Sequence, residues 1–332
     1  MRGPSAARIF APRPFRWKGP VRVLAASPSL ITAEIDFREV TFVTKRCASK
    51  NILKISLACL LLGAATTASA QSGELAIAEP RLTFGSGFET GKLTQGVYWS
   101  ISGNAPVVQS ELSRDGRYAM RTTLDRYASD VSYRTEVKPL APNPVMGQDT
   151  WYGVSVYLPT GYVPDDIWEI VFQWHGVADE GEPSLNPPLA MFTNGGKWSL
   201  ANKWDAQRIS SRDSYDGTKK FDFGPYATGR WTDWVFHIRW SYLDDGLIEV
   251  WKDGKSVAKT TGPNTFNDAR MPYFKMGLYK GWKEGRPAGS VTRRELYHDD
   301  FRMAYGPEAS YEDVAPGPKR ARPVPPKLTL GR

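Results

Sequence analysis

The chain has 332 residues and a formal net charge of +8, a balance that would suit a nucleic-acid or membrane partner. The charge is unevenly placed, because residues 1–70 carry 11 basic and 3 acidic residues whereas residues 71–332 carry 32 of each. The larger part is therefore neutral, which excludes a basic nucleic-acid-binding domain there. No segment reaches the roughly 20 apolar residues of a membrane helix, so stable membrane insertion is excluded as well.

The N-terminal region has the pattern of an extension followed by a secretory signal peptide. Four lysine and arginine residues between positions 45 and 54 precede an apolar run, residues 55–65, and a small-residue triplet ends at Ala70. We predict cleavage after Ala70 and a secreted or periplasmic protein. Both cysteines, Cys47 and Cys59, lie in this leader, so the mature chain forms no internal disulfide.

One motif in the leader indicates a different chemistry. Residues 34–39, EIDFRE, match the E-x-D-x-x-E strand of laminarinase-like glycoside hydrolases, in which alternating carboxylates act as nucleophile and acid. Because this motif precedes the export signal, we expect it to carry no function. A glycoside hydrolase on a similar scaffold is nevertheless the second hypothesis.

From Thr150 onward, polar and apolar residues alternate in short runs, the pattern of β-strands. The predicted strands cover residues 151–158, 168–175, 197–203, 231–241, 247–252, 273–279 and 297–305. Asp253-Gly254 indicates a two-residue hairpin turn, and no amphipathic helix of ordinary length appears.

These patterns predict an all-β domain over residues 71–314. Its expected architecture is a jelly-roll β-sandwich of the concanavalin A-like type, in which two antiparallel sheets pack face to face and one carries a concave substrate groove. Residues 315–332 contain five prolines and five basic residues, which predicts a disordered tail.

Three strand segments carry polar residues at every second position, so that these side chains share one face of a sheet. The segments group Arg134 with Glu136, Gln173 with His175, and Tyr273 with Lys275, Gly277 and Tyr279. We expect these strands to line one solvated groove.

These residue types suit β-elimination in a uronic-acid polymer, which needs a neutralised carboxylate, a base for the C5 proton and an acid for the leaving O4. Arg134 suits the first task, because a guanidinium can bind a carboxylate through two parallel hydrogen bonds, and Gln173 can assist. His175 is a candidate base or carboxylate partner. Tyr279 is the candidate acid and the second candidate base. The chemistry requires no metal or cofactor, and a structural calcium ion is left open.

A wider set is expected to bind the polymer. Lys275 lies about 13 Å along the strand from Tyr279, so we expect it at a neighbouring saccharide subsite rather than against the phenol. Lys280 or Arg134 is expected to tune the phenol from another strand. The substrate-binding residues predicted are Lys275, Tyr273, Glu136, Lys138, Trp174 and Lys280.

The mature chain has two further histidines. His237 alternates with Arg239 in the segment 234–240, so we expect a structural role for it. His298 stands beside Asp299 and Asp300, and we expect it at the surface.

The motifs resemble those of jelly-roll polysaccharide lyases, including the heparin lyase I, glucuronan lyase and alginate lyase groups. Residues 134–138, RTEVK, are similar to the alginate lyase R-x-E-x-R strand, with lysine in the last place. Residues 173–175, QWH, are similar to Q-I/V-H, and residues 273–279, YFKMGLY, to Y-F-K-A-G-x-Y, the most specific of the three. The layout from residues 87–89, GFE, to residues 297–301, YHDDF, is more similar to the heparin lyase I-like family.

The resemblance implies an exported polysaccharide lyase that acts as a monomer on an acidic polysaccharide and releases unsaturated uronides. It implies that His175 and Tyr279 exchange protons with the substrate while Arg134 and Gln173 hold its carboxylate. A non-catalytic carbohydrate-binding module is the third hypothesis.

Heparin lyase I also carries a basic thumb, and the segment 204–226 resembles a reduced version in a flexible loop. Aspartates in the same stretch dilute its positive charge, which favours a plain polyuronate or exopolysaccharide over a strongly sulfated polymer. The basic residues in and around this segment are Lys203, Arg208, Arg212, Lys219, Lys220 and Arg230.

Overall fold

The computed structural model describes residues 82–94, 96, 99–128, 133–212, 214–282 and 289–317, all within the compact unit Ser72–Arg332. The predicted leader with its cleavage site after Ala70, the motif at 34–39 and residues 318–332 of the predicted tail lie outside the described residues.

The described chain forms two antiparallel sheets joined by one core, which confirms the predicted all-β sandwich. One sheet has the strand order β13-β12-β11-β6-β15-β4-β3, with β1 paired to β15, and the other has the order β10-β9-β8-β7-β14-β5-β2. The strands are β1 Leu82–Ser86, β2 Trp99–Gly103, β3 Val107–Gln109, β4 Ala119–Asp125, β5 Arg134–Pro139, β6 Asp149–Leu158, β7 Glu169–His175, β8 Leu189–Phe192, β9 Lys197–Trp204, β10 Gly217–Pro225, β11 Arg230–Arg239, β12 Leu247–Lys252, β13 Lys255–Thr261, β14 Tyr273–Lys280 and β15 Arg293–Tyr305. A 3₁₀ turn at Asn194–Gly196 and the short helix α1, Tyr311–Val314, complete the described elements.

Large aromatic side chains fill the space between the sheets. Each buries about 150–250 Å², so the domain obtains an extensive apolar core without a disulfide. The tryptophans that are fully buried or nearly so are Trp99, Trp174, Trp198, Trp234, Trp240 and Trp282. These residues are structural.

The turn between β12 and β13 has the conformation expected from its sequence. Asp253 and Gly254 have φ angles of 50° and 77°. A two-residue turn of this kind needs positive φ at both central positions, which glycine and aspartate tolerate.

Two segments differ from the sequence prediction. The segment predicted as a flexible loop over 204–226 contains strand β10, which pairs with β9 and extends the second sheet to its edge. The predicted disordered tail begins with ordered residues, because the Arg302 guanidinium donates hydrogen bonds to the carbonyls of Ala315 and Gly317. In both places, hydrogen bonds to the preceding strand order a polar sequence.

Gly277 lies at an irregularity in β14, where the register with β7 shifts between Met276 and Tyr279. Its φ angle is 140°, and a Cβ added there would lie 2.0 Å from the carbonyl oxygen of Thr135 in β5. The close approach of β5 therefore requires glycine at this position.

Gly277→Ala is expected to lower the free energy of unfolding by about 3 kcal/mol, because strain at positive φ and overlap with β5 add together. Gly161→Ala is the matched control, since Gly161 has a φ of 82° but nothing within 4 Å of the added Cβ. The control should lose only about 1 kcal/mol. Urea unfolding measures both changes, and equal losses would show that the contact with Thr135 is not limiting.

Candidate active site

A cavity of about 810 Å³ lies on the face of the second sheet that points away from the core. Strands β5, β7, β8, β9, β10 and β14 all contribute to its lining. Arg134, Gln173, His175 and Tyr279 are among the lining residues. The structure thus brings together the four residues that the sequence motifs single out for catalysis.

Strand pairing explains this convergence. Strand β14 lies between β5 and β7, with Lys275 opposite Gln173 and Tyr279 opposite Arg134. Because side chains alternate along a strand, the odd-numbered residues of β14 share the cavity side. Phe274 and its even-numbered neighbours pack into the core instead.

Glu136 is a buried carboxylate on which three donors converge. It is only 1% exposed, and its Oε2 lies 2.6 Å from the Lys275 ammonium and 3.3 Å from Arg134 Nε. Gln173 donates a hydrogen bond from Nε2 to its Oε1. Glu136 therefore fixes the orientation of Arg134 and Gln173 at the cavity wall.

The phenol ring of Tyr279 is held between two side chains. The Arg134 guanidinium lies 4.1 Å from the ring centroid, a cation–π distance, and the Trp168 ring meets it edge-on at 4.9 Å between centroids. The cation expected to act on this phenol from another strand is thus Arg134. Trp168 also lines the cavity.

His175 has a defined hydrogen-bond state. Its Nδ1 lies 2.8 Å from the carbonyl oxygen of Gly176, which can only accept, so Nδ1 carries the proton when the ring is neutral. Nε2 is then the basic nitrogen. The ring stacks on Tyr273 with 5.6 Å between centroids. Burial is the main cause that lowers the pKa of His175, and the cations of Lys275 and Arg134 lower it further.

We expect the acid limb of the kcat/KM profile to lie below pH 6.5, the ordinary pKa of histidine being about 6.5. Because the pKa of His175 is lowered, its neutral form persists to lower pH, and activity should fall only as the pH drops through that pKa. His175→Asn should remove this limb together with most of the activity. A limb well above pH 6.5 in the wild type would contradict the assignment of His175 as the titrating group.

Two residues predicted to bind the polymer lie elsewhere. Trp174 is fully buried in the core, where its ring meets that of Phe236 at 4.8 Å. Lys280 is also fully buried, and its ammonium lies 2.8 Å from Asp165. Both predictions are wrong, because each residue follows a cavity-facing neighbour and so points to the opposite side of its strand.

The remaining members of the predicted binding set support the site from beside or beneath it. Lys275 is 3% exposed and paired with Glu136, so its charge is neutralised within the protein rather than presented to a neighbouring subsite. Lys138 places its ammonium 4.1 Å from the Tyr273 ring centroid, and neither residue belongs to the cavity lining.

The other histidines lie away from the cavity. His237 stacks on Trp151 at 4.1 Å on the first sheet and hydrogen-bonds Glu249 and Asp149, as expected for a structural residue. His298 is fully buried, with Nε2 2.9 Å from the Val171 carbonyl oxygen, so the prediction of a surface position is wrong. Burial lowers the pKa of His298 to about 3.

The sequence motifs missed Trp168, which directly precedes β7 and lines the cavity with Ile170. Alternation from Gln173 and His175 would place both on the core side, but the register of β7 with β8 shifts between Ile170 and Phe172. The charged residues of the lining are all basic or histidine: Arg134, His175, Lys203, Arg212 and Lys220. Of the residues that the structure describes, no carboxylate lines the cavity. The groove surface is therefore cationic.

Within the described ranges, no group of three or more His, Cys, Asp and Glu side chains is arranged to hold a metal ion. No helix in the same part of the chain has the length and apolar character needed to cross a membrane.

A β-sandwich with a cationic groove and a cluster of tyrosine, histidine, arginine and glutamine on its open sheet suits an enzyme that acts on an anionic polymer. The chain belongs to the polysaccharide lyase family, whose match extends over residues 86–302. It is a polysaccharide lyase. No curated protein sequence matches this chain.

Solved structures of similar fold include an endo-β-1,4-glucuronan lyase from the fungus Trichoderma reesei. That likeness has a TM-score of 0.55 at 18% identity and covers 66% of this chain and 94% of the lyase. The alginate lyase AlyC3 has a TM-score of 0.40 at 13% identity and covers 56% and 75% of the two chains. The alginate lyase Aly36B has a TM-score of 0.40 at 14% identity, with 61% and 86% covered. At 18% identity, the similarity to the glucuronan lyase shows the fold alone. The similarity to the two alginate lyases is too low to support a conclusion about this chain.

Proposed function

We propose that this chain cleaves a uronic-acid-containing acidic polysaccharide by β-elimination and releases unsaturated uronides. The observation that carries the proposal is the position of Arg134, Gln173, His175 and Tyr279 along one cavity without a lining carboxylate among the described residues. Such a surface attracts a polyanion and offers proton donors and acceptors to it. A hydrolase would instead need two carboxyl groups at the scissile bond.

In the proposed reaction, Arg134 and Gln173 hold the uronate carboxylate and stabilise the charge that develops when C5 loses its proton. A base removes that proton, the electron pair forms the C4=C5 double bond, and the C4–O4 bond breaks. Tyr279 then protonates the departing O4. No water is consumed.

Two routes for the C5 proton stay open in this proposal. In the anti route, His175 removes the proton through Nε2, the nitrogen left basic by the Gly176 hydrogen bond. In the syn route, Tyr279 performs both transfers, and the Arg134 guanidinium lies 4.1 Å from the centroid of its ring.

The substrate proposed first is a plain polyuronate, with β-1,4-glucuronan as the first polymer to test. The fold likeness to the fungal glucuronan lyase supports this choice. The proposal retains the heparin lyase I-like layout as its finer family assignment, on the sequence motifs at residues 87–89 and 297–301 alone. The proposal also includes export of the protein, directed by the predicted signal peptide that ends at Ala70.

Ultraviolet absorbance tests the proposal, because the C4=C5 bond is conjugated to the carboxylate and absorbs where the intact polymer does not. The panel is glucuronan, alginate, heparin-type chains and bacterial exopolysaccharides. We expect an increase in absorbance with at least one polyuronate, and a chain lacking residues 1–70 should retain it. Reducing ends without absorbance, or no reaction across the panel, would contradict the proposal.

A further inference from the structure

Three cations line the cavity away from the reactive residues. They are Lys203 in β9, Lys220 in β10 and Arg212 in the segment between these strands. Within the described ranges, none of the three has a carboxylate within 4 Å. Arg212 is fixed by two hydrogen bonds, from Nε and Nη2, to the carbonyl oxygen of Ser184 at 3.1 and 2.8 Å.

A row of registered residues connects this end of the groove to the reactive end. Gln173 pairs with Ala190, Ala190 with Ala201, and Ala201 with Lys220. Three strand spacings of about 4.8 Å place Lys220 roughly 14 Å from Gln173 across the sheet. The two alanines between them also line the cavity. Because their side chains are small, they leave space for a saccharide chain across the sheet.

The charges at this end repel each other in the absence of an anion. The pKa of Lys203 is lowered, mainly by burial and then by the charge of Lys220. The same two strands pair a lysine elsewhere, since Lys197 of β9 lies 3.3 Å from Asp222 of β10. Among the described residues, Lys203 and Lys220 thus lack the carboxylate partner that the same two strands supply to Lys197, and the Lys203 ammonium lies 5.3 Å from the Tyr215 ring centroid instead.

We infer that Lys203, Lys220 and Arg212 form a second carboxylate-binding subsite, which holds a uronate of the same chain some saccharide units from the scissile bond. This inference rests on the proposed function and deepens it. The substrate class is then a linear polyuronate long enough to reach from Tyr279 to β10. Shorter chains would be cleaved with a higher KM.

The test compares the steady-state kinetics of the double variant Lys203→Gln/Lys220→Gln with those of the wild type. The two substrates are long-chain β-1,4-glucuronan and the shortest glucuronan oligosaccharide that is cleaved. We expect KM for the long chain to rise by about 10-fold or more with kcat unchanged, because charged hydrogen bonds remote from the reaction are lost. The short oligosaccharide should show no change. Lys203→Arg/Lys220→Arg should keep the wild-type KM.

Lys219→Gln is the matched control. Lys219 is exposed on the same strand, its ammonium contacts Thr260 at 2.7 Å, and it does not line the cavity. This variant should bind and cleave like the wild type. Circular dichroism confirms the fold of each variant, and Lys220→Gln alone serves if the double variant does not fold.

Affinity electrophoresis in glucuronan gels provides a readout that needs no turnover. Retardation that weakens in the double variant but not in Lys219→Gln supports the subsite, even if no polymer is cleaved and the proposed function fails. Unchanged KM and unchanged retardation in an active double variant would overturn the subsite while the lyase proposal stands. An equal loss on long and short substrates would also overturn it.

Discussion

Tyr279→Phe is expected to lower kcat on glucuronan by about 100- to 10,000-fold, the range typical of a lost general acid or base. The change removes one hydroxyl and leaves the ring, which can still pack between Arg134 and Trp168. Polymer affinity should therefore change little. Steady-state kinetics and gel retardation measure the two quantities separately.

Tyr297→Phe is the matched control, since it removes a hydroxyl that hydrogen-bonds Glu295 at 2.9 Å on the other sheet. It should retain wild-type kcat. If Tyr279→Phe keeps most of its activity, the phenol does not transfer the proton, and His175 or another group must be assigned that step.

Glu136→Gln is expected to lower the free energy of unfolding by about 3–5 kcal/mol, the usual result of removing one partner of a buried ion pair. The Lys275 side chain is only 4% exposed and would be left without its carboxylate. Activity should fall as well, because the carboxamide has no charge and a single acceptor oxygen, whereas Arg134 and Gln173 contact different oxygens of the Glu136 carboxylate. Denaturant unfolding and kcat/KM measure these effects.

A second substitution separates the two roles of Glu136. Adding Lys275→Met to Glu136→Gln removes the buried ammonium that has lost its carboxylate partner. The double variant should therefore recover much of the lost stability. It should not restore activity, because Arg134 and Gln173 still lack the charged, two-oxygen acceptor that Glu136 provides. Strictly additive losses in stability would show that Glu136 and Lys275 do not interact as the 2.6 Å contact indicates.

Alternating polarity predicted the all-β class and about half of the described strands, because the two-residue period of a half-buried strand is a local property. It located β6, β7, β9, β11, β12, β14 and most of β15. It failed for β10, where polar residues such as Lys219 and Lys220 are ordered by pairing with β9 rather than by burial. Such pairing depends on the neighbouring strand, so the polarity pattern of β10 alone does not reveal it.

The same alternation explains what the sequence revealed about the site. It grouped Gln173 with His175 on one face, and applied consistently it would have assigned Trp174 and Lys280 to the core. It could not predict the partners that allow Lys280 to be buried, since Asp165 and Glu169 belong to distant segments. Likewise, the buried position of Glu136 depends on the register of β5 against β14.

The central claim is that the groove bearing Arg134 and Tyr279 performs elimination, in which no water enters the products. The most direct measurement is mass spectrometry of glucuronan fragments produced by the wild type in water enriched in heavy oxygen. With the reaction stopped before the reducing-end oxygen exchanges spontaneously with water, we predict unsaturated fragments that carry none of the heavy isotope and a Tyr279→Phe variant that makes almost none of them. Saturated fragments that incorporate the isotope at the new reducing end would show hydrolysis and contradict the account.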